Sequence, residues 1–173
     1  AYILRHAGAR LLAVDSELAA LGRAAAAEDT LVQQFLWLPS EQPSQPVAGM
    51  LDFEALSRCE DPFEAPALHS DDLAQIVYTS GTESRPKGVL LPSRSLISQY
   101  VSCVIDGQMA ADDVEAHSLP MYHCAQLDCF FSVDVYLGAT SIILPAPEPA
   151  ALLATIEREQ VTKLFCPPTV WIS

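Results

Sequence analysis

One loop constrains this chain more than any other feature. Tyr78-Thr79-Ser80-Gly81-Thr82-Glu83-Ser84-Arg85-Pro86-Lys87-Gly88-Val89 is rich in hydroxyls and glycine and closes on a lysine. Four hydroxyl side chains fall between positions 79 and 84. Backbone amides and hydroxyls are donors suited to phosphate oxygens, and Lys87 adds a full positive charge. The preceding run, Leu73-Ala74-Gln75-Ile76-Val77-Tyr78, reads as a buried strand. A donor-rich loop at the end of a buried strand is where α/β folds place nucleotides.

A Walker A loop would require the pattern G-x-x-x-x-G-K-S/T. Counted from Gly81, the lysine is in place at Lys87, but Pro86 stands where the second glycine belongs. Gly88 replaces the hydroxyl that would ligate Mg²⁺, and Val89-Leu90-Leu91 reads as a strand rather than a helix. The Walker reading is therefore rejected.

At 173 residues the chain fits one domain and can bury a sizeable core. Half of it is hydrophobic and only 18% is charged, which excludes a disordered chain. The net charge of −13 argues against nucleic acid and anionic membrane surfaces as partners. A phosphate ligand must then rely on local donors. The five cysteines, Cys59, Cys103, Cys124, Cys129 and Cys166, are odd in number and include no C-x-x-C pair. They read as buried free thiols of a cytoplasmic protein rather than as disulfides or zinc ligands. No apolar run approaches the length of a membrane span. The first eight residues, Ala1 to Gly8, read as the end of a helix, so the chain is expected to begin inside a fold.

Strand and helix patterns alternate along the rest. Leu11 to Asp15 reads as a strand, with Ser16 capping a helix to about Ala27. Leu31 to Leu38 reads as a strand. Residues 39–70 read as an irregular segment punctuated by prolines, with one or two helical turns from Phe53 to Cys59. Ser70-Asp71-Asp72 reads as a cap before the loop-bearing strand. A strand to Leu91 leads into a helix from about Ser93 to Gln108, capped by Ser93 or by Pro92-Ser93. Ser118 to Met121 reads as a strand end, and Ala125 to Tyr136 as a helix stopped by Gly138. Thr140 to Leu144, Glu148 to Glu159 and Lys163 to Cys166 read as strand, helix and strand. The alternation implies an α/β fold, a largely parallel sheet flanked by helices. Asp71-Asp72 and Asp112-Asp113-Glu115 read as solvated loop and cap positions, with no His or Cys partner at ligand spacing, so no metal site is expected.

The loop resembles the signature of the adenylate-forming superfamily of acyl-CoA synthetases, nonribosomal adenylation domains and luciferases. That signature runs roughly Tyr/Phe-Thr/Ser-Ser-Gly-Ser/Thr-Thr-Gly-x-Pro-Lys-Gly-Val. The chain matches it at Tyr78, Thr79, Ser80, Gly81, Thr82, Pro86, Lys87, Gly88 and Val89, and departs at Glu83 and Ser84. Leu119-Pro120-Met121-Tyr122-His123 resembles a second family motif, an aromatic-His pair near the carboxylate site. Tyr136-Leu137-Gly138-Ala139-Thr140 and Phe165-Cys166-Pro167-Pro168-Thr169 resemble family segments as well.

The resemblance implies a piece, residues 1–173, of the large N-terminal domain of a much longer enzyme, with residues 78–89 as its phosphate loop. The later motifs of the family, an adenine-contacting Y-G-x-T-E, a ribose-binding aspartate and a C-terminal lysine, do not occur here. In the family's reaction a carboxylate attacks the α-phosphorus of ATP, pyrophosphate leaves, and coenzyme A thiolate then takes the acyl group from the adenylate. Thr79, Ser80, Gly81 and Thr82 would donate to phosphates, and Lys87 would neutralise charge. Glu83 places a carboxylate beside the triphosphate, where Mg²⁺ or Arg85 would have to offset it. The Glu-Ser variant resembles bacterial fatty-acyl-CoA ligases, which implies an apolar acid as substrate. His123 is either a pocket residue near the carboxylate or a satisfied core histidine, and the motif favours the pocket. The alternatives are an amino-acid-activating adenylation domain and a non-catalytic nucleotide-binding piece. The isolated chain is expected to be inactive and to self-associate through apolar edges.

Overall fold

The computed structural model describes residues 1–40, 45–80 and 85–172. The chain divides into two compact units. The first comprises Ala1–Ala67 with Tyr78–Val89, and the second Leu68–Val77 with Leu90–Ser173.

The first unit opens on helix α1 (Tyr2–Ala7), which ends on Gly8 in the left-handed region. Strands β1 (Leu11–Asp15), β2 (Gln34–Leu38) and β3 (Leu51–Asp52) form a parallel sheet in that order. Helix α2 (Ala19–Ala26) lies against β1. Gly22 makes the approach possible, because a Cβ there would meet Val14 Cγ1 at 3.0 Å. Ser16 was expected to cap α2, but the helix starts three residues later. Asp15 accepts from the Leu18 amide at 2.8 Å, and the Ser16 hydroxyl instead accepts from the buried Trp37 indole at 2.7 Å. Strand β2 begins at Gln34 rather than Leu31. Within the irregular segment, helix α3 (Phe53–Ser57) is capped by Asp52, whose carboxylate accepts from the Glu54 and Ala55 amides.

Strands β4 (Leu73–Thr79) and β5 (Lys87–Pro92) pair as a two-stranded sheet, and the chain passes between units within each of them. The strand expected from Leu73 to Tyr78 is present as β4, but it is not buried. Leu73 is 58% exposed and Ile76 38%, because β4 pairs in a two-stranded ribbon rather than inside a parallel sheet.

The second unit is built on β6 (Val114–His117), with β7 (Thr140–Ile143) and β8 (Lys163–Leu164) parallel on either side. The parallel pairing expected from the sequence is thus spread over two sheets. Helix α4 (Ser93–Asp106) precedes β6 and has Pro92 at its N-cap. The Ser93 hydroxyl turns back to the Asp72 carbonyl instead of capping. The β6–β7 crossover is one helical run of three segments: α5 (Cys124–Gln126), a π-helical turn (Leu127–Phe131) and α6 (Ser132–Leu137). It stops at Gly138, whose φ of 74° is left-handed, as the sequence implied. Helix α7 (Pro149–Glu159) follows β7. Glu148 caps it by accepting from the Ala150 and Ala151 amides, and Pro149 sits in its first turn. Strand β8 ends two residues before the expected Cys166, and a short helix α8 (Pro168–Trp171), not expected, follows it. Ala116, Val133 and Leu152 form the apolar centre of this unit.

All five cysteines are free, but only Cys166 is buried, against the expectation of buried thiols. Cys59 and Cys124 are exposed because they fall at the end of α3 and the start of α5 rather than on packed faces.

Candidate active site

The expected phosphate loop, residues 78–89, takes in the end of β4 and the start of β5. Thr79 and Ser80 are exposed at one stem, and Lys87 is exposed at the other. Gly81, Thr82 and Glu83, which the sequence places among the phosphate contacts, lie outside the described residues.

Helix α1 braces both stems. The Tyr2 hydroxyl donates to the Pro86 carbonyl at 3.2 Å, and His6 Nδ1 lies 2.8 Å from the Tyr78 hydroxyl. The rings of Tyr2 and His6 stack at 5.5 Å, and His6 meets Tyr78 edge-on at 5.7 Å. The Arg85 guanidinium sits 5.8 Å from the centre of the Tyr2 ring. The spacing explains the arrangement: Tyr2 and His6 are four residues apart and so project from one helix face. This brace was missed at the sequence level. A tyrosine and a histidine at i, i+4 were visible, but nothing in the sequence pointed them at a loop more than seventy residues away.

Next to the brace an open cavity of about 810 Å³ is lined by Arg5, His6 and Arg85 among others. Arg5 is paired with Asp29 at 3.6 Å, which leaves Arg85 as the guanidinium beside the loop stem. The donor set suits phosphate oxygens: two exposed hydroxyls, a lysine and an arginine.

His123 belongs to the second unit and is exposed, so the core-histidine reading falls. It is the N-cap of α5, where Nδ1 accepts from the Ala125 amide at 3.1 Å. An accepting Nδ1 leaves the ring proton on Nε2, a donor suited to a carboxylate.

The acidic residues divide. Asp71 pairs with Arg94 at 2.6 Å, and Asp72 accepts from the His69 amide. Asp113 accepts from the Ala110 amide and the Thr162 hydroxyl and pairs with Lys163 at 3.2 Å. Burial pushes the Asp113 carboxyl up, but those hydrogen bonds and the Lys163 charge outweigh it and hold the group below its ordinary range. Asp71 and Asp72 are exposed, as expected of solvated loop and cap positions, whereas Asp113 is largely covered and held by its ion pair.

Glu115 corrects the expectation. It is 1% exposed, in the middle of β6, not in a solvated loop. Residues two apart on a strand share a face, which places Glu115 beside the fully buried His117. Asp134 reaches the same place from α6, and the three groups offer ligand atoms within 4.8 Å of one another. A histidine partner therefore does stand at ligand spacing. Burial, then the nearby Asp134 charge, pushes the Glu115 carboxyl up to about 7. The Cys129 thiol is likewise pushed up, first by burial and then by the neighbouring Cys103.

The AMP-binding enzyme family matches the chain over residues 1–173. The chain belongs to that family. The resemblance to the adenylate-forming superfamily is thereby shown, and so is the α/β fold of its N-terminal domain. A long-chain-fatty-acid–CoA ligase of Thermus thermophilus is 33% identical over 178 residues, covering all of this chain and 31% of that protein. A feruloyl-CoA synthase of an Amycolatopsis species is 33% identical over 101 residues, 58% of this chain and 21% of the relative. The crystal structure of apo MatB from Rhodopseudomonas palustris superposes with a TM-score of 0.82 at 29% identity, and its ATP-bound form with 0.81. Both superpositions cover 99% of this chain and 32% of the other. The chain thus spans a third or less of the length of these relatives. Among the described residues no helix is long and apolar enough to cross a membrane.

Proposed function

We propose that this chain is the phosphate-loop portion of an ATP-dependent acid–CoA ligase acting on an apolar carboxylic acid. The observation that supports this reading most is the braced loop. Thr79, Ser80 and Lys87 stand exposed on stems that α1 holds at both ends, in a chain whose relatives are CoA ligases. In this reading the acid's carboxylate attacks the α-phosphorus of ATP, and pyrophosphate departs with the negative charge that the loop steadies. Coenzyme A thiolate then displaces AMP from the acyl carbon. The protein's part is positioning and charge stabilisation rather than covalent chemistry. Thr79, Ser80, Gly81 and Thr82 donate to phosphates, Lys87 offsets their charge, and Mg²⁺ arrives with ATP near Glu83. The Nε2–H of His123 serves the acid's carboxylate.

A fatty acid is favoured by the Thermus thermophilus relative and by the Glu-Ser loop variant, and the feruloyl relative makes an aryl acid the competitor. The ligase relatives weigh against an amino-acid-activating domain. The reading further includes a cytoplasmic location, an isolated chain that makes no thioester, and self-association of that isolated chain. Ile105, Val135 and Leu153, each more than 65% exposed, motivate the last of these.

The decisive experiment measures pyrophosphate release and thioester formation by the longer protein with ATP, Mg²⁺, coenzyme A, and fatty, aryl and amino acids. Unit charges about 4 Å apart at an effective dielectric of about 20 interact by roughly 4 kcal/mol, so Lys87→Ala should slow adenylation at least tenfold. An unchanged rate would mean that the loop is not the phosphate clamp. Glu83→Thr should preserve the rate across Mg²⁺ concentrations. A sharp rise in the Mg²⁺ requirement would instead make Glu83 a metal-side group. Thioester formation by the isolated 173-residue chain would refute its inactivity.

A further inference from the structure

The buried cluster of the second unit has a hydrogen-bond order that can be read from one end. The Leu119 amide donates to Gln126 Oε1 at 3.3 Å, which fixes which way the Gln126 amide faces. Its Nε2 then points at His117 Nδ1, 2.6 Å away, so Nδ1 accepts. The ring proton must sit on His117 Nε2, which donates to Asp134 Oδ2 at 2.9 Å. The Ser141 hydroxyl donates to the same oxygen at 2.9 Å. Two oxygens of the cluster are left without a donor among the described residues: Asp134 Oδ1 and Glu115 Oε2. Both belong to side chains at least 99% buried, and the two carboxyls lie within hydrogen-bond reach of each other. A buried acceptor without a donor is costly, and two facing carboxylates are worse. One proton resolves both defects.

We propose that Glu115 and Asp134 share a single proton, and that this pair anchors a positioning chain running through His117 and Gln126 to the backbone of Leu119, just ahead of His123. A divalent cation in the same place would need His117 Nε2 as a ligand. Its proton would have to move to Nδ1, which would then face the Gln126 amino group, donor against donor. The cluster therefore holds a proton and not a metal. The titratable and charged groups that face Glu115 are Asp134 from α6, His117 on its own strand and Lys163 from β8. Glu115 also lines an open cavity of about 670 Å³, to which α4 contributes Cys103 and Asp106 and the π-helical turn contributes Cys129. That cavity is the route by which the proton exchanges with water. When the proton leaves, two charges face each other behind His117, and the hold on Leu119 loosens.

The relevance to His123 rests on the ligase reading. The shared proton does not, and its readouts need no activity. The test uses protein labelled with ¹⁵N in its histidine rings, infrared spectroscopy of the carboxyl region, and amide exchange at Leu119. His117 should show the Nε2–H tautomer. A protonated carboxyl band should be present below about pH 7, fade above it, and be missing from Glu115→Gln. Exchange at Leu119, corrected for intrinsic base catalysis, should speed up roughly tenfold as the band fades, and should stay pH-independent in Glu115→Gln. Should that variant fail to fold, the tautomer and the band of the unsubstituted protein decide alone. An Nδ1–H tautomer, a band that survives Glu115→Gln, Leu119 exchange indifferent to Glu115, or Zn²⁺ binding that Glu115→Gln abolishes would each overturn the proposal. If the pair is verified but acid activation is absent, the ligase reading alone is at fault.

Discussion

Stability should fall as the pH rises toward neutrality, and Glu115 should be the reason. The folded-state value of its carboxyl is raised from 4.5 to about 7, first by burial and then by the charge of Asp134. Between those values the folded chain holds a proton that the unfolded chain has released, so stability decreases with increasing pH and levels off above about 7. The side chain is 1% exposed, so solvent screening takes little from the effect. About 2.5 units at about 1.4 kcal/mol per unit amounts to about 3 kcal/mol across the window. For a domain of this size that corresponds to a fall of about 10 °C in melting temperature. Glu115→Gln supplies an amide that donates to Asp134 at every pH. The variant should match the unsubstituted protein near pH 4.5 and exceed it at pH 8. Thermal unfolding followed by circular dichroism over that range checks this, and the difference between the two proteins isolates Glu115 from every other titrating group. If the two curves stay parallel across the window, Glu115 is ionised throughout and the reasoning fails.

Three other expectations are open to simple measurement. His117→Ala removes the N–H donor of a buried carboxylate, and chemical denaturation should show a loss of about 3 kcal/mol; a loss below 1 kcal/mol would mean that Ser141 alone satisfies Asp134. Tyr2→Phe deletes the hydroxyl bonded to the Pro86 carbonyl, costing about 1 kcal/mol, and in the longer protein should raise the KM for ATP more than it lowers kcat; the reverse pattern would count against α1 as a brace of the loop. Gly138→Ala should cost about 1 kcal/mol from backbone strain alone, since φ is 74° and no atom lies within 4 Å of the added Cβ; a loss of several kcal/mol would point to hidden crowding.

Much of this protein was legible in the sequence because the determining forces act over short distances. The alternation of strand and helix, the stop at Gly138 and the start of α7 at Glu148-Pro149 depend on neighbouring residues, and all are present. The proposed phosphate loop could be read from sequence because its hydroxyls and lysine lie in one continuous run. Caps were less secure. Ser16 and Ser93 have the right side chain close to a helix start, but neither is the N-cap, and each hydroxyl finds another partner, Trp37 or Asp72, which only the tertiary structure supplies. The exposure of β4 was misjudged because an apolar run does not say whether its partner strand lies in a broad sheet or a ribbon. The buried cluster was the least visible feature. Alternation along β6 places Glu115 and His117 on one face, yet acidic residues on a strand ordinarily mark the face turned to water. That this face is covered depends on the α5–α6 crossover returning Asp134 from seventeen residues away. The sequence by itself determined where the hydroxyl- and lysine-rich loop falls in the chain; the packing of a helix over one face of a sheet decided which carboxyl must keep its proton, because desolvation is a property of the covered face and not of the residue.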